Sequence, residues 1–346
     1  MATPNSCETL ENHTMKAVVL REINGPLTFE EVGLTELDFG QVLVKVLASG
    51  LCGAQLMEIS GLKGNAKFVP HLMGHEGCGI VQNIGAGVTK VKIGDKVVMH
   101  WMKGSGIESP FPQYKLGGKI ISSGKVTTLN EFSIVSENRV TPVGYSIPNE
   151  LCALLGCGMT TALGAINNEA NVKIGENVLV LGCGGVGLNL IQGLSLVGAN
   201  DIVVADIVNK EPLAKANGAT RFIYLKEKNF LFENKFDVIF DTTGHSELIQ
   251  DSLKLLADGG RFVMVGQPKL PFTVDSSLFG SSGKKIIATQ GGKTNPDIDI
   301  PRYASMYIGG KLNFKNIITD TLLMREINSA VNILKGGNCG RIILHT

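Results

Sequence analysis

The chain has 346 residues, 44% hydrophobic and 18% charged, which excludes a disordered or fibrous protein. At about 100–200 residues per domain this length points to two domains. Lys and Arg number 32 against 31 Asp and Glu, so a net charge of +1 supplies no electrostatic drive toward nucleic acid or an anionic membrane.

Residues 1–14 are polar and lack the apolar core of a secretory signal, so they are expected to form a disordered extension. Structure is expected to begin at Met15. Short strand patterns follow at Lys16–Leu20, Gln41–Leu47, Gly79–Ile84, Asp95–Met99 and Glu131–Val135, separated by Gly, Pro and Asn clusters. This makes the first half a β-rich barrel or sandwich, with a long Gly-, Ser- and Lys-rich loop from Trp101 to Thr128. After Pro148 the pattern changes. Strands at Asn177–Leu181, Asp201–Asp206, Phe236–Asp241, Arg261–Val265 and Lys285–Thr289 alternate with helical segments such as Val186–Val197 and Ser246–Leu256. That alternation means βαβ units and a parallel sheet buried on both faces. The tail from Gly291 shows one helix, Met324–Leu334, and a last strand, Arg341–Leu344, that returns to the first domain. The fold class is therefore α/β, with the α/β domain inserted into a discontinuous β-rich one. No apolar run approaches the roughly 18 residues of a membrane span.

Gly182-Cys183-Gly184-Gly185-Val186-Gly187 fits G-x-G-x-x-G, follows the strand Asn177–Leu181 and opens a helix. Asp206 ends the next strand, 24 residues on (206 − 182), near the spacing of a ribose-binding acid. The glycines Gly182, Gly184, Gly185 and Gly187 permit a tight turn and close approach of the backbone to a pyrophosphate, whose charge sits on the helix N-terminus together with the Val186 amide. The Asp206 carboxylate accepts from a ribose 2′-OH and repels a 2′-phosphate, and Ile207 and Val208 follow it without an arginine. NAD is thus favoured over NADP. Gly266, at the carboxyl edge of the sheet, and Arg341, from the returning segment, are further candidate cofactor contacts; for Arg341 an ordinary surface arginine is an equal reading.

Cys52, His75, Glu76 and Cys157 lie in Gly-rich turns next to strands or at the domain boundary. Two thiolates and an imidazole would leave a tetrahedral Zn²⁺ one open position for substrate. Spacing alone does not establish such a site, because the residues lie up to 105 apart (157 − 52) and a lone cysteine is most often a core residue. The seven cysteines are odd in number and scattered, which fits a reducing, cytoplasmic setting better than a disulfide framework.

Cys52-Gly53, Gly74-His75-Glu76, Gly156-Cys157-Gly158 and the Gly182–Gly187 turn with Asp206, in this order, resemble the zinc-dependent medium-chain alcohol dehydrogenases. Residues 156–206 particularly resemble the glutathione-dependent formaldehyde dehydrogenase branch. The resemblance implies a GroES-like catalytic domain over 15–155 and 291–346 and a Rossmann domain over 156–290. It implies a catalytic zinc at Cys52, His75 and Cys157, with Glu76 as an alternative ligand or a partner of the ligands, and a homodimer or homotetramer. Two departures stand out. Residues 100–119 hold none of the four cysteines that carry a structural zinc in many members, so one zinc per chain is expected. Ala54 and Met57 replace the usual hydroxyl and histidine of the family's proton route, and Gln55 replaces the usual carboxylate behind the metal-ligating histidine. Gln55 is expected to accept from the His75 ring through its amide oxygen. A substrate hydroxyl, Glu76 or a polar group of the His100–Lys119 loop, His100 included, would then have to carry the proton.

The implied function is hydride transfer between NAD and an alcohol or carbonyl compound, with a polyol or sugar derivative the substrate class hinted at by the polar loop. The alternative is a zinc- and NAD-binding sensor or assembly subunit without turnover; a zinc-free reductase is a third reading. Elsewhere, Cys78 and Cys152 are expected in the core, Cys183 beneath the cofactor, His245 near a helix cap, and His71 and Trp101 at the substrate cleft.

Overall fold

The computed structural model describes residue 10 and residues 13–63, 68–227 and 235–346. Most of the extension expected over 1–14 lies outside the described residues; Leu10 is buried against Met15, Leu34 and Tyr114, and the first strand starts at Thr14.

The first region contains β1 (Thr14–Leu20), β2 (Leu27–Gly33), β3 (Gln41–Leu51), the short helix α1 (Gly53–Ile59), β4 (His71–Leu72), β5 (Glu76–Ile84), β6 (Lys96–His100), β7 (Tyr114–Leu116), β8 (Lys119–Ile121), β9 (Phe132–Ser136) and β10 (Val140–Pro142). Two sheets form, in the orders β4-β1-β2-β7-β8 and β10-β6-β5-β3, with β9 on the other edge of β3. Apolar runs such as Val42-Leu43-Val44 are buried on both faces of β3, where the β-branched valines pack well on the pleated surface. β2 carries no strand signal, since Glu30 and Glu31 break its apolar pattern. Pairing with β1 along its whole length, Thr14 opposite Gly33 to Leu20 opposite Leu27, makes it one.

Helices α2 (Asn149–Leu155) and α3 (Gly158–Gly164) lead into the α/β unit. It comprises β11 (Asn177–Leu181), α4 (Gly185–Val197), β12 (Asp201–Asp206), α5 (Glu211–Ala216), β13 (Arg221–Tyr224), β14 (Phe236–Asp241), α6 (Ser246–Ser252), β15 (Leu256–Met264), α7 (Ser277–Gly280) and β16 (Lys285–Ala288). Six parallel strands order as β13-β12-β11-β14-β15-β16, so β11 and its Gly-rich turn sit at the point where the strand order reverses. Val178 to Leu181 are fully buried, and each such side chain contributes about 1.5–3 kcal/mol. α4 stops at Gly198, whose φ of +79° gives the left-handed cap that side-chain-bearing residues avoid.

The tail departs from expectation. It holds two helices, α8 (Pro296–Ile308) and α9 (Ile327–Gly336), with β17 (Ile318–Leu323) between them, before β18 (Arg341–His345). α8 begins on an Asn295 side chain that accepts from Asp297 N–H, with Pro296 in the first turn. Its internal Pro301 hides the helical pattern. β18 pairs antiparallel with β3, Leu51 opposite Ile342 to Ala48 opposite His345, and parallel with β17. Among the described residues no single helix is long and apolar enough to cross a membrane.

The segment 101–128 is not one uniform loop, since β7 and β8 form a hairpin inside it. Its first part is held by two carboxylates. Glu108 bridges Lys103, Lys125 and Arg139 and accepts from Asn138. Glu137 accepts from the backbone N–H groups of Thr89, Lys90 and Ile107.

Candidate active site

Cys52 is the N-cap of α1, where β3 turns into the helix. His75 immediately precedes β5, in a turn that needs Gly74: its φ is +98°, and a Cβ there would lie 2.5 Å from Thr128 Oγ1. Cys157 is the N-cap of α3 and follows Gly156, where a Cβ would strike the Met99 carbonyl oxygen at 2.4 Å. These close approaches bring together side chains far apart in sequence. The Cys52 and Cys157 sulfurs and a His75 ring nitrogen lie within 4.8 Å of one another. Among the described residues no other group of three potential metal ligands is this compact.

Such a set of soft donors suits Zn²⁺ and leaves one tetrahedral position open. The Cys157 S–H donating to Cys52 holds the Cys52 thiol well below its ordinary range, with help from His75 and the Arg341 charge. The same hydrogen bond, with burial, pushes Cys157 up. Binding a cation here would require both thiols to give up their protons.

Glu76 does not join this group. The first residue of β5, it is fully buried and ion-paired with the Arg341 guanidinium, and its Oε2 accepts from Gly158 N–H at 3.2 Å. The partnership commits the Glu76 carboxylate to an ion pair, and it corrects one expectation, since Arg341 is no surface arginine. Arg341 is 3% exposed, and its stem lies so close to Gly185 that a Cβ there would be 2.0 Å from Cδ. Its Nε has no hydrogen-bond partner.

His100 is also removed from the chemistry. Its ring lies between the Met102 carbonyl oxygen and Thr141 Oγ1, and burial lowers it to about 4, so it is a neutral structural histidine. Gln55 differs in detail from expectation. Its Oε1 accepts from Cys52 N–H at 2.9 Å, and the amide nitrogen, not the oxygen, lies 2.5 Å from His75 Nδ1.

At the Gly-rich turn, Gly182 has φ +95° and a Cβ would meet Thr242 Oγ1 at 2.4 Å, while at Gly187 it would meet the Gly182 oxygen at 2.1 Å. Nothing lies within 4 Å of a Cβ at Gly184, so this side of the turn is open. Asp206 accepts from Cys183 N–H at 2.6 Å and from Val208 N–H at 2.9 Å, which fixes its carboxylate at the lip of the turn. Cys183 is fully buried beneath. Gly266 packs against Gly244 N, 2.4 Å from a Cβ placed there.

A single cavity of about 790 Å³ joins the two regions, with Cys52, His75 and Cys157 at one end and Gly184, Gly185 and Val186 at the other. Gly266 and Arg341 line it between them. Trp101, Ala54 and Met57 are on its wall, as is Glu58, 3.0 Å from His71 Nε2.

Comparison with known proteins matches two parts of the chain. Residues 38–145 match the alcohol dehydrogenase GroES-like domain family, and residues 185–305 match the zinc-binding dehydrogenase family. Alcohol dehydrogenase 6 of Peromyscus maniculatus is 32% identical over 95% of this chain and 97% of its own length. The chain belongs to the zinc-dependent medium-chain alcohol dehydrogenase family. The S-(hydroxymethyl)glutathione dehydrogenase of Paracoccus denitrificans is 29% identical, covering 95% of this chain and 99% of its own. The structure of an alcohol dehydrogenase zinc-binding domain protein from Burkholderia ambifaria shares the fold with a TM-score of 0.89 at 24% identity, over 96% of this chain and 99% of its own.

The dehydrogenase is thus an oxidoreductase of alcohols and carbonyl compounds, working with zinc and a nicotinamide cofactor. Four of its residues carry little or no signal in sequence. Lys210 is buried and donates to the carbonyl oxygens of Cys183 and Cys339 at 2.9 and 3.3 Å, joining the cofactor turn to the segment before β18. Its place four residues after Asp206 is the one clue. Glu58 and the Thr242-Thr243 pair on the cavity wall look like ordinary surface and turn residues until the fold aligns them.

Proposed function

We propose that this dehydrogenase transfers hydride between NAD and a polar alcohol, with Cys52, His75 and Cys157 holding one catalytic zinc per chain and no structural zinc. The supporting observation is the single cavity that joins the three ligand side chains to the open face of the Gly-rich turn. When bound, zinc supplies Lewis-acid polarisation of the substrate oxygen. The chain supplies the rest. The turn amides and the N-terminus of α4 seat the pyrophosphate, with Arg341 beside them. Asp206 offers its carboxylate to the adenosine ribose, the basis for proposing NAD over NADP. Trp101 and Met57 screen the reacting atoms from water.

Glu58, the one carboxylate among the described residues of the cavity wall, receives the proton that Ala54 and Met57 cannot handle; its contact with His71 leads that proton outward. The anchoring of residues 101–108 by Glu108 and Glu137, in place of cysteines, supports the absence of a second zinc. Six described cysteines, all unpaired, support a cytoplasmic setting. We place the domain boundaries at 155/156 and 290/291, and take the assembly as a homodimer or homotetramer.

The test is metal analysis combined with nicotinamide-absorbance assays on alcohols, polyols and aldehydes. Cys52→Ser and His75→Ala are expected to lose zinc and turnover while retaining NADH binding by fluorescence. Full activity in either variant removes the metal from the mechanism, and one zinc per chain without turnover on any substrate favours the sensor.

A further inference from the structure

We infer that Gln55 limits how tightly the Cys52–His75–Cys157 site holds its metal, because one amide oxygen faces two donors; the inference rests on the zinc reading above. The Gln55 side chain is buried, so water does not complete its hydrogen bonds. Its Oε1 takes the Cys52 backbone N–H at 2.9 Å, and its Nε2 lies 2.5 Å from His75 Nδ1. In this arrangement Nδ1 accepts, and the neutral imidazole carries its hydrogen on Nε2, the nitrogen left for a metal. A metal takes the Nε2 lone pair, so the hydrogen then resides on Nδ1 and meets the Gln55 NH₂ head-on. Turning the amide over brings Oε1 to Nδ1–H but sets the NH₂ against Cys52 N–H. In both orientations one buried donor loses its acceptor when metal binds.

A carboxylate of the same length has two acceptor oxygens and serves both donors at once. Gln55 is thus a positioning residue that acts through His75. Gln55→Glu is expected to tighten zinc binding by about 10–100-fold, the usual effect of a partner behind a metal-ligating histidine. Gln55→Ala opens room for a water that accepts from whichever donor is exposed, and is expected to bind zinc at least as tightly as the natural chain.

Zn²⁺ is titrated into the metal-free full chain and both variants against a chromophoric chelator, and ¹⁵N resonances of the His75 ring are recorded with and without zinc. The natural chain is expected to switch from the Nε2–H to the Nδ1–H tautomer on binding. Equal or weaker zinc affinity in Q55E, a clear loss in Q55A, or an Nδ1–H tautomer already present without metal overturns the inference while leaving the zinc site standing. Absence of zinc binding in all three proteins overturns the zinc reading itself. Tighter binding in Q55E with the tautomer switch in the natural chain supports both.

Discussion

Ala54 and Met57 leave the proposed metal end of the cavity without a hydroxyl or imidazole where the family pattern has one, and Glu58 stands one residue further along α1. Positioned proton transfer is worth about 10²–10⁴-fold, so Glu58→Gln is expected to lower kcat by about that factor. Zinc content and the KM for NADH should not change; an unaltered kcat assigns the proton to another group. At the other end, Asp206→Ser removes a charged acceptor from the adenosine ribose and the charge that opposes a 2′-phosphate. Charged hydrogen bonds contribute about 1.5–3 kcal/mol, so the NAD-to-NADP preference is expected to fall by about tenfold or more, measured as a ratio of kcat/KM. An unchanged ratio excludes Asp206 as the discriminating group. The Gly-rich turn and Asp206 were legible from their strand–turn–helix context, whereas Cys52, His75 and Cys157, up to 105 residues apart, were suggested only through the family resemblance. Glu58, Lys210 and the orientation of the Gln55 amide were not, because they depend on which way a side chain turns after distant segments meet.

Elements were legible where one periodicity ruled the segment. β11, β12 and β14 match their apolar runs because a parallel sheet buries both faces. β2 and α8 escaped for opposite reasons, one a strand made by its neighbour against its own charges, the other a helix masked by Pro301. Most informative is the segment after Trp101, which is anchored by ionic contacts. Burial alone would raise the Glu108 carboxyl, but hydrogen bonds from Asn138, Lys125 and Lys103 and the Arg139 charge outweigh it and hold it at about 2. The unfolded carboxyl, near 4.5, takes up its proton first as pH falls. The stabilisation from Glu108 is therefore complete above about pH 4.5 and lost as the pH drops toward about 2. Glu108→Gln should melt below the natural chain at about pH 6, the gap closing in acid as both sides become neutral. A gap that persists at about pH 2 disproves the ionic anchor.

Across the whole molecule, the Glu76–Arg341 pair ties the start of β5 to β18 and to the openings of α3 and α4. Removing one member of a buried pair leaves an uncompensated charge and costs about 3–5 kcal/mol. Arg341→Met is expected to lower stability in denaturant melts by that amount, and a Glu76→Leu/Arg341→Met double variant to recover much of it while still binding NADH weakly. Full recovery of NADH affinity in the double variant shows that Arg341 does not touch the cofactor. The two-region plan was visible in the change of pattern at Pro148; this central tie was not, because it joins a residue expected at the metal to one expected at the pyrophosphate.

The pairing of β3 with β18 also sets an order of events during synthesis. Leu51 meets Ile342, 291 residues later (342 − 51), so at about 5–20 residues per second the ribosome takes roughly 15–60 s between making the two. For that interval the half of β3 that leads into Cys52 has one free edge, and before it ends the strands and helices of the nucleotide-binding unit have been made and can fold. The cofactor-holding unit, although made after Cys52 and His75, can therefore close before the sheet that leads into Cys52 is complete.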